Sequence, residues 1–359
     1  MAPNTMSKDC IESNVHTLNG KSEANKPVDR PYKVELVWRN VILMALLHMA
    51  ALYGINIAIF KAKLTTIVFV HCIAIMSSMG VQAGAHRLWS HRAYKAKLPL
   101  RLILAYFHIM AFQNDIYEWC RDHRVHHKYT ETNADPHNAK RGFFFSHVGW
   151  LLVKKHPDIK NRGKNVDLSD LMADPVVRFQ RKFYIPLLLL IWGVIPTVIP
   201  HMLWSESLWN SWFVCVMFRH CLTLNLTWLV NSAAHMWGSR PYDKNIEARE
   251  ATVRHLLMGE GFHNYHHTFP WDYSASELGA FDVFNPATAF IDFFAMIGWA
   301  YDRKVVSREV IERKQQRSAK LEDKREIRGL VHSMYEWVGG VAVFCIPLLI
   351  VHIFKLVYT

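Results

Sequence analysis

Apolar residues in this chain are bunched into long runs instead of recurring with an amphipathic period. Residues 41–60 are apolar apart from His48 and Asn56, and after Lys61-Ala62-Lys63 a second run extends over 64–85. About 20 helical residues cross a hydrocarbon core, so each run is long enough to span. The short connector predicts an antiparallel hairpin. A second hairpin is predicted from 183–203 and 208–234, joined by Trp204-Ser205-Glu206-Ser207, with Pro186, Pro196 and Pro200 kinking the third helix. Residues 337–358 are apolar again and allow two readings: a fifth span, which places the C-terminus in the lumen, or a helix on the membrane surface.

The polar stretches fix the orientation. Residues 86–182 are dense in lysine and arginine, and 235–328 are polar and charged, so the positive-inside rule places both in the cytosol together with the N-terminus. The run 98–112, broken by Arg101 and His108, is expected to lie against the core or the interface. These features divide the chain into a disordered cytosolic tail over 1–37, one membrane unit over 38–304 with a cap built from 86–182 and 235–304, and a charged helix plus apolar segment over 305–359. The fold class is an all-α integral membrane protein with four helices in two hairpins.

Composition supports this reading. A chain that is 51% hydrophobic yet carries a net charge of +12 suits a membrane protein with one basic aqueous face. The basic excess is read in that way and not as a nucleic-acid surface. The six cysteines form no C-x-x-C pair, so neither a disulfide framework nor a zinc ribbon is implied.

Among 21 histidines, three clusters stand at the predicted cytosolic boundary: His86 with His91, His123 with His126 and His127, and His263 with His266 and His267. In the second and third the i, i+3, i+4 spacing stacks imidazoles on one helix face. The i, i+5 spacing of the first is less suited to a regular helix and predicts that the second span unwinds there. His235, four residues after Asn231, ends the fourth span and is within reach of the same place. Such a set of imidazoles exceeds the four ligands of structural zinc and the three of catalytic zinc. Two ions with open positions suit oxygen-binding iron, while copper stands as the alternative on affinity grounds. Glu118, Asp122, Asp135 and Glu260 are candidate acceptors for the imidazole N–H groups.

The clusters, with Trp38-Arg39-Asn40, Phe112-Gln113-Asn114-Asp115, Phe143-Phe144-Phe145-Ser146-His147-Val148-Gly149-Trp150, Asn231-Ser232-Ala233-Ala234-His235 and Gly259-Glu260-Gly261-Phe262 between them, resemble the stearoyl-CoA desaturase family as far as Tyr301-Asp302-Arg303-Lys304. The resemblance implies four membrane helices under a cytosolic cap that holds two irons. It implies ligation by His86, His91, His123, His126, His127, His235, His263, His266 and His267, with Asn231 acting through water. It further implies a bent acyl tunnel at Gln113, Trp119 and Thr227, and a coenzyme A head group near Asn40, Asn114, Arg121, Asp122, Lys154 and Lys155. The implied partners are a saturated C16–C18 acyl-CoA, O2, cytochrome b5 with its reductase, and the endoplasmic reticulum bilayer. The implied product is a cis alkene, Δ9 by default and Δ11 as a variant. A membrane di-iron hydroxylase and a non-catalytic metal-binding or transport protein are the competing readings.

Small residues on the second span bear on chain length. Counting from His86, Ser78 lies about 12 Å and Ala74 about 18 Å along an ideal helix. In the resembling family this helix closes the methyl end of the tunnel, so acceptance of both C16 and C18 chains is expected. Close helix packing is the competing use of such residues.

Overall fold

The computed structural model describes residues 33–251, 253–280, 282–318 and 330–358. The tail expected over 1–37 lies, as far as residue 32, outside the described residues, as does the 319–329 part of the charged segment.

Four long apolar helices form the two expected hairpins: α1 (Trp38–Phe60) with α2 (Leu64–Ser90), and, after α3 (Leu98–Ala111) and α4 (Ile116–Tyr129), α5 (Tyr184–Trp204) with α6 (Leu208–Met236). The chain continues through a short helix α7 (His263–Thr268), then α8 (Pro286–Met296), α9 (Arg308–Ser318) and α10 (Leu330–Tyr358). A stretch of α10, Val331–Lys355, is also long and apolar enough to span. Outward positions such as Leu43, Leu46, Met49 and Leu52 on α1 are exposed and apolar, as lipid-facing surface requires. Inside the bundle, Ile57, Ile67, Val70, Ile73, Leu188, Ile191 and Val214 pack as one cluster.

Helix α2 changes character along its length. It is α-helical over Leu64–Met79 and π-helical over Gly80–Ser90. The predicted unwinding at the first histidine cluster is therefore corrected: the helix continues, but widens. In the i→i+5 pattern of a π-helix, residues five apart stack, and His91 N–H donates to the His86 carbonyl at 3.1 Å. Gly80 starts this stretch where α3 crosses; a Cβ there would fall 2.3 Å from the His108 backbone nitrogen. The run expected to lie against the core is thus α3, seated on α2.

The far ends of the two hairpins clasp one another. Glu206, buried in the α5–α6 connector, accepts the Lys63 backbone N–H at 2.7 Å and the Thr66 hydroxyl at 2.7 Å. Its other oxygen accepts from Ser207 N–H and Asn210 Nδ2. Hydrogen bonds to charged groups contribute about 1.5–3 kcal/mol each, so Glu206→Ala is expected to cost on the order of 2–3 kcal/mol after relaxation. A lower thermal midpoint in detergent checks this; an unchanged midpoint would refute it.

Candidate metal centre

Each ligand-bearing element is fixed locally before it meets the others. Helix α4 starts where Asp115 accepts the Glu118 backbone N–H at 2.9 Å, and its buried Ile116, Cys120 and Val125 press on the core. His123, His126 and His127 then stand on the remaining faces. Helix α7 is short and relies on side chains for its hydrogen bonds. Glu250 accepts the Tyr265 N–H at 2.9 Å, and Asn264 ties the helix to the 242–248 loop through Tyr242 N, Asp243 O and Ala248 O. His263, His266 and His267 project from it, and His235 closes the last turn of α6.

Nine imidazoles gather in two groups, His86, His91, His123, His127 and His266 in one and His126, His235, His263 and His267 in the other, with ligand atoms in each group within 4.8 Å of one another. In the first, Nε2 atoms approach at 2.9 Å (His86 and His266), 2.8 Å (His91 and His123) and 3.1 Å (His127 and His266). In the second the separations are 3.0 Å (His235 and His263), 3.0 Å (His263 and His267) and 3.3 Å (His126 and His267).

Carboxylates stand behind three of the nine rings. His86 Nδ1 lies 3.2 Å from Glu260, His126 Nδ1 2.9 Å from Asp135, and His235 Nδ1 2.9 Å from Glu131. A carboxylate that takes the Nδ1 proton leaves a bare lone pair at Nε2, aimed inward. The partners of these three rings, His266, His267 and His263, have no such carboxylate among the described residues, so each contact is open to an imidazole N–H or to a cation shared by the two rings. Metal–imidazole bonds of about 2.1 Å would accommodate the 2.8–3.3 Å between these nitrogens. The donor set fits two imidazole-rich metal ions, and a group of five exceeds what structural zinc takes.

The electrostatics keep the rings in the ligating form. Burial first, then neighbouring imidazoles, hold His91, His123, His127, His263, His266 and His267 well below the ordinary histidine range, so they are neutral. Burial alone would raise Glu260, but Arg87 and His86 outweigh it and lower it to about 2. Burial opposes ionisation of Asp135 likewise and is outweighed chiefly by His126, leaving a firm carboxylate.

Of the four acids expected behind the rings, Asp135 and Glu260 are there. Glu118 and Asp122 instead pair with Arg121, and Asp122 also with Lys155. Glu131 takes the place they were expected to fill. It follows α4 at a left-handed φ of 60°, and an acidic residue in a turn just past a histidine cluster is the only sequence signal for it.

A cavity leads from the helix bundle to both groups. Ser77, Ser78, Val81 and Gln82 of α2, Ala111, Thr223, Leu226, Thr227, Val230 and Asn231 line its walls with the turn Leu256, Leu257 and Met258, and His86, His123, His126, His263 and Glu260 stand at its metal end. Gln113 bridges across it, donating to the Thr227 hydroxyl at 3.0 Å while accepting from Trp119 Nε1 at 3.3 Å. Trp119 stacks on His123 with ring centroids 4.9 Å apart. Ala74 is not among the lining residues; its carbonyl accepts the hydroxyls of Ser77 and Ser78. The other residues of interest lie on the cap: Asn40 Nδ2 donates to the Leu151 carbonyl, Asn114 precedes the α4 cap at a φ of 66°, Lys154 pairs with Glu35 and Lys155 with Asp122.

A helical bundle with membrane-length apolar helices, whose inner cavity ends on four imidazoles of a nine-histidine cluster able to hold metal, defines the class as an integral-membrane enzyme of the metal-dependent kind. The profile of the fatty acid desaturase family matches residues 62–282. The chain is 58% identical to an acyl-CoA Delta-9 desaturase of Acheta domesticus over 297 residues, 82% of each chain. It is 56% identical to stearoyl-CoA desaturase 5 of Bos taurus over 82% of this chain and 87% of that one, and 53% identical to an acyl-CoA Delta12-desaturase of Acheta domesticus over 85% of each. The chain belongs to the fatty acid desaturase family and is an oxidoreductase.

Proposed function

We propose that the chain is a fatty acyl-CoA desaturase of the endoplasmic reticulum membrane, placing one cis double bond in saturated chains of C16–C18, with its N-terminus and metal centre cytosolic. The observation that carries this is the cavity of small and apolar residues that ends on the two histidine groups. A methylene group offers no acidic proton and no leaving group, so its oxidation needs a metal-activated oxidant. Two irons, held by the five and the four imidazoles with Asn231 contacting through water, would supply that chemistry with O2. Overall, one O2, two electrons and two protons are consumed with the saturated chain, and two waters and the alkene are released.

The protein's own residues do the positioning. The Gln113–Thr227 bridge narrows the cavity and bends the chain, so that one pair of methylenes faces the histidines. Trp119, stacked on His123, excludes water from that side. Asn40, Asn114, Arg121, Asp122, Lys154 and Lys155 receive the head group, its phosphates competing with Glu35 and Asp122 for the lysines. Cytochrome b5, served by its reductase, delivers electrons to the basic cap.

Δ9 is the proposed position, with Δ11 as the alternative, the distance from head group to metal setting the choice; a Delta-9 and a Delta12 enzyme of one species are both similar to this chain. Expression in a desaturase-deficient yeast tests the reading: C16 and C18 alkenes with one located bond are expected, and alcohols or no product would refute it. In the same cells Ser78→Leu, which fills the cavity from α2, is expected to favour shorter chains with the bond position unchanged. An unaltered chain preference in an active variant would return Ser78 to a packing role.

A further inference from the structure

Helix α10 lies beyond the profile match at 62–282 and beyond the residues that carry the family resemblance. Its contacts are specific along its length. Glu336, 5% exposed, accepts from Arg254 Nε at 3.2 Å, and also from Nη2, and lies 3.1 Å from His255 Nε2. His332 approaches the same carboxylate at 3.6 Å. One residue on, Trp337 Nε1 donates to the Ala280 carbonyl at 2.8 Å. At Gly340 a Cβ would fall 2.2 Å from the Phe284 ring, so glycine alone lets the ring lie on the helix backbone. Phe344 then packs beside Met79, Met258 and Phe290. Farther along, Val351 joins the cluster inside the bundle and Lys355 meets the Ala62 carbonyl between α1 and α2.

The segment pinned by Glu336 runs directly into the cavity wall. Arg254 and His255 are followed by Leu256, Leu257 and Met258, all three lining the cavity, and then by Glu260, which holds His86. The turn is costly to form, because Met258 sits at φ 51°, left-handed for a side-chain-bearing residue, before Gly259 at φ 94°. Such a turn persists only where its surroundings hold it. Those surroundings are Asn285 on one side and α10 on the other.

We propose that α10 is the outer brace of the substrate cavity, and that Glu336 and Gly340 are specificity-determining positioning residues that hold the 254–258 turn against the chain. The proposal rests on the acyl-chain reading of the cavity. With the brace loosened the turn relaxes outwards, and a wider cavity admits longer chains and lets the chain slip, so that a second positional isomer forms.

The unmodified protein, Glu336→Gln, Glu336→Asp and Gly340→Leu, each as the full chain, are compared in desaturase-deficient yeast by locating double bonds in the lipids and measuring metal per chain. In Glu336→Gln and Gly340→Leu a severalfold rise in longer-chain or displaced-bond products is expected, with metal content retained, and Glu336→Asp is expected to restore the unmodified distribution. A uniform fall of all products at constant ratio, an unchanged distribution, or failure of Glu336→Gln to accumulate would overturn the proposal and leave α10 a stability element. If Gly340→Leu alone does not accumulate, Glu336→Gln decides. No unsaturated product from the unmodified chain would overturn the desaturase reading, and this proposal with it.

Discussion

Replacing His266 with alanine is expected to abolish product formation while the protein still inserts and accumulates. His266 Nε2 stands 2.9 Å from that of His86 and 3.1 Å from that of His127, so an ion held there would join α7 to two elements, α2 and α4. A methyl group in its place removes a ligand and leaves the remaining lone pairs without full compensation. Loss of a supporting partner behind a ligand already costs about 10–100-fold, and loss of the ligand itself is expected to exceed that. Iron per purified chain should fall with activity. Product at even a tenth of the unmodified level with full metal content would contradict the assignment, and His126→Ala, in the group of four, provides the matching test.

The second large effect is expected from Glu260→Gln. Glu260 receives the His86 Nδ1–H and also Arg87 Nη2, at 2.7 Å, in a site where Arg87 is 1% exposed. Removing one partner of a buried ion pair costs about 3–5 kcal/mol, because the other charge is left uncompensated, and weaker orientation of His86 adds a fall of about 10–100-fold in metal affinity. Thermal melting and metal titration read the two losses separately. Adding Arg87→Met removes the stranded charge, so stability is expected to recover while metal affinity is not. Recovery of both would show that Glu260 serves the ion pair alone.

Spans and histidines were legible because each is a local signal. A run of apolar residues needs no partner to declare a membrane helix, and the spacing of His123, His126 and His127 is already the geometry of one helix face. The π-helical widening was not legible: whether the i, i+5 pair His86 and His91 marks an unwound or a widened helix depends on α3 crossing at Gly80. Nor was the choice of carboxylates. Asp122 lies closer in sequence to the histidines than Glu131 does, but it and Glu118 share a helix with Arg121 and are neutralised there, while Glu131 is brought to His235 across 104 residues by the fold. The docking of α10 depends on Phe284 lying flat on Gly340, a contact between distant segments.

The clasp at Glu206 has a consequence for biogenesis. Its partner Lys63 precedes it by 143 residues, which at a synthesis rate of about 5–20 residues per second is roughly 7–30 s. Throughout that interval the first hairpin stands in the bilayer with the Lys63 amide and the Thr66 hydroxyl lacking their eventual acceptor. The ligands are distributed in the same order: His86 to His127 emerge early, and His263, His266 and His267 after the clasp has become possible. Neither histidine group can therefore be complete until α7 has been made, and a chain stalled before the second hairpin carries an unlatched membrane end and five of the nine imidazoles.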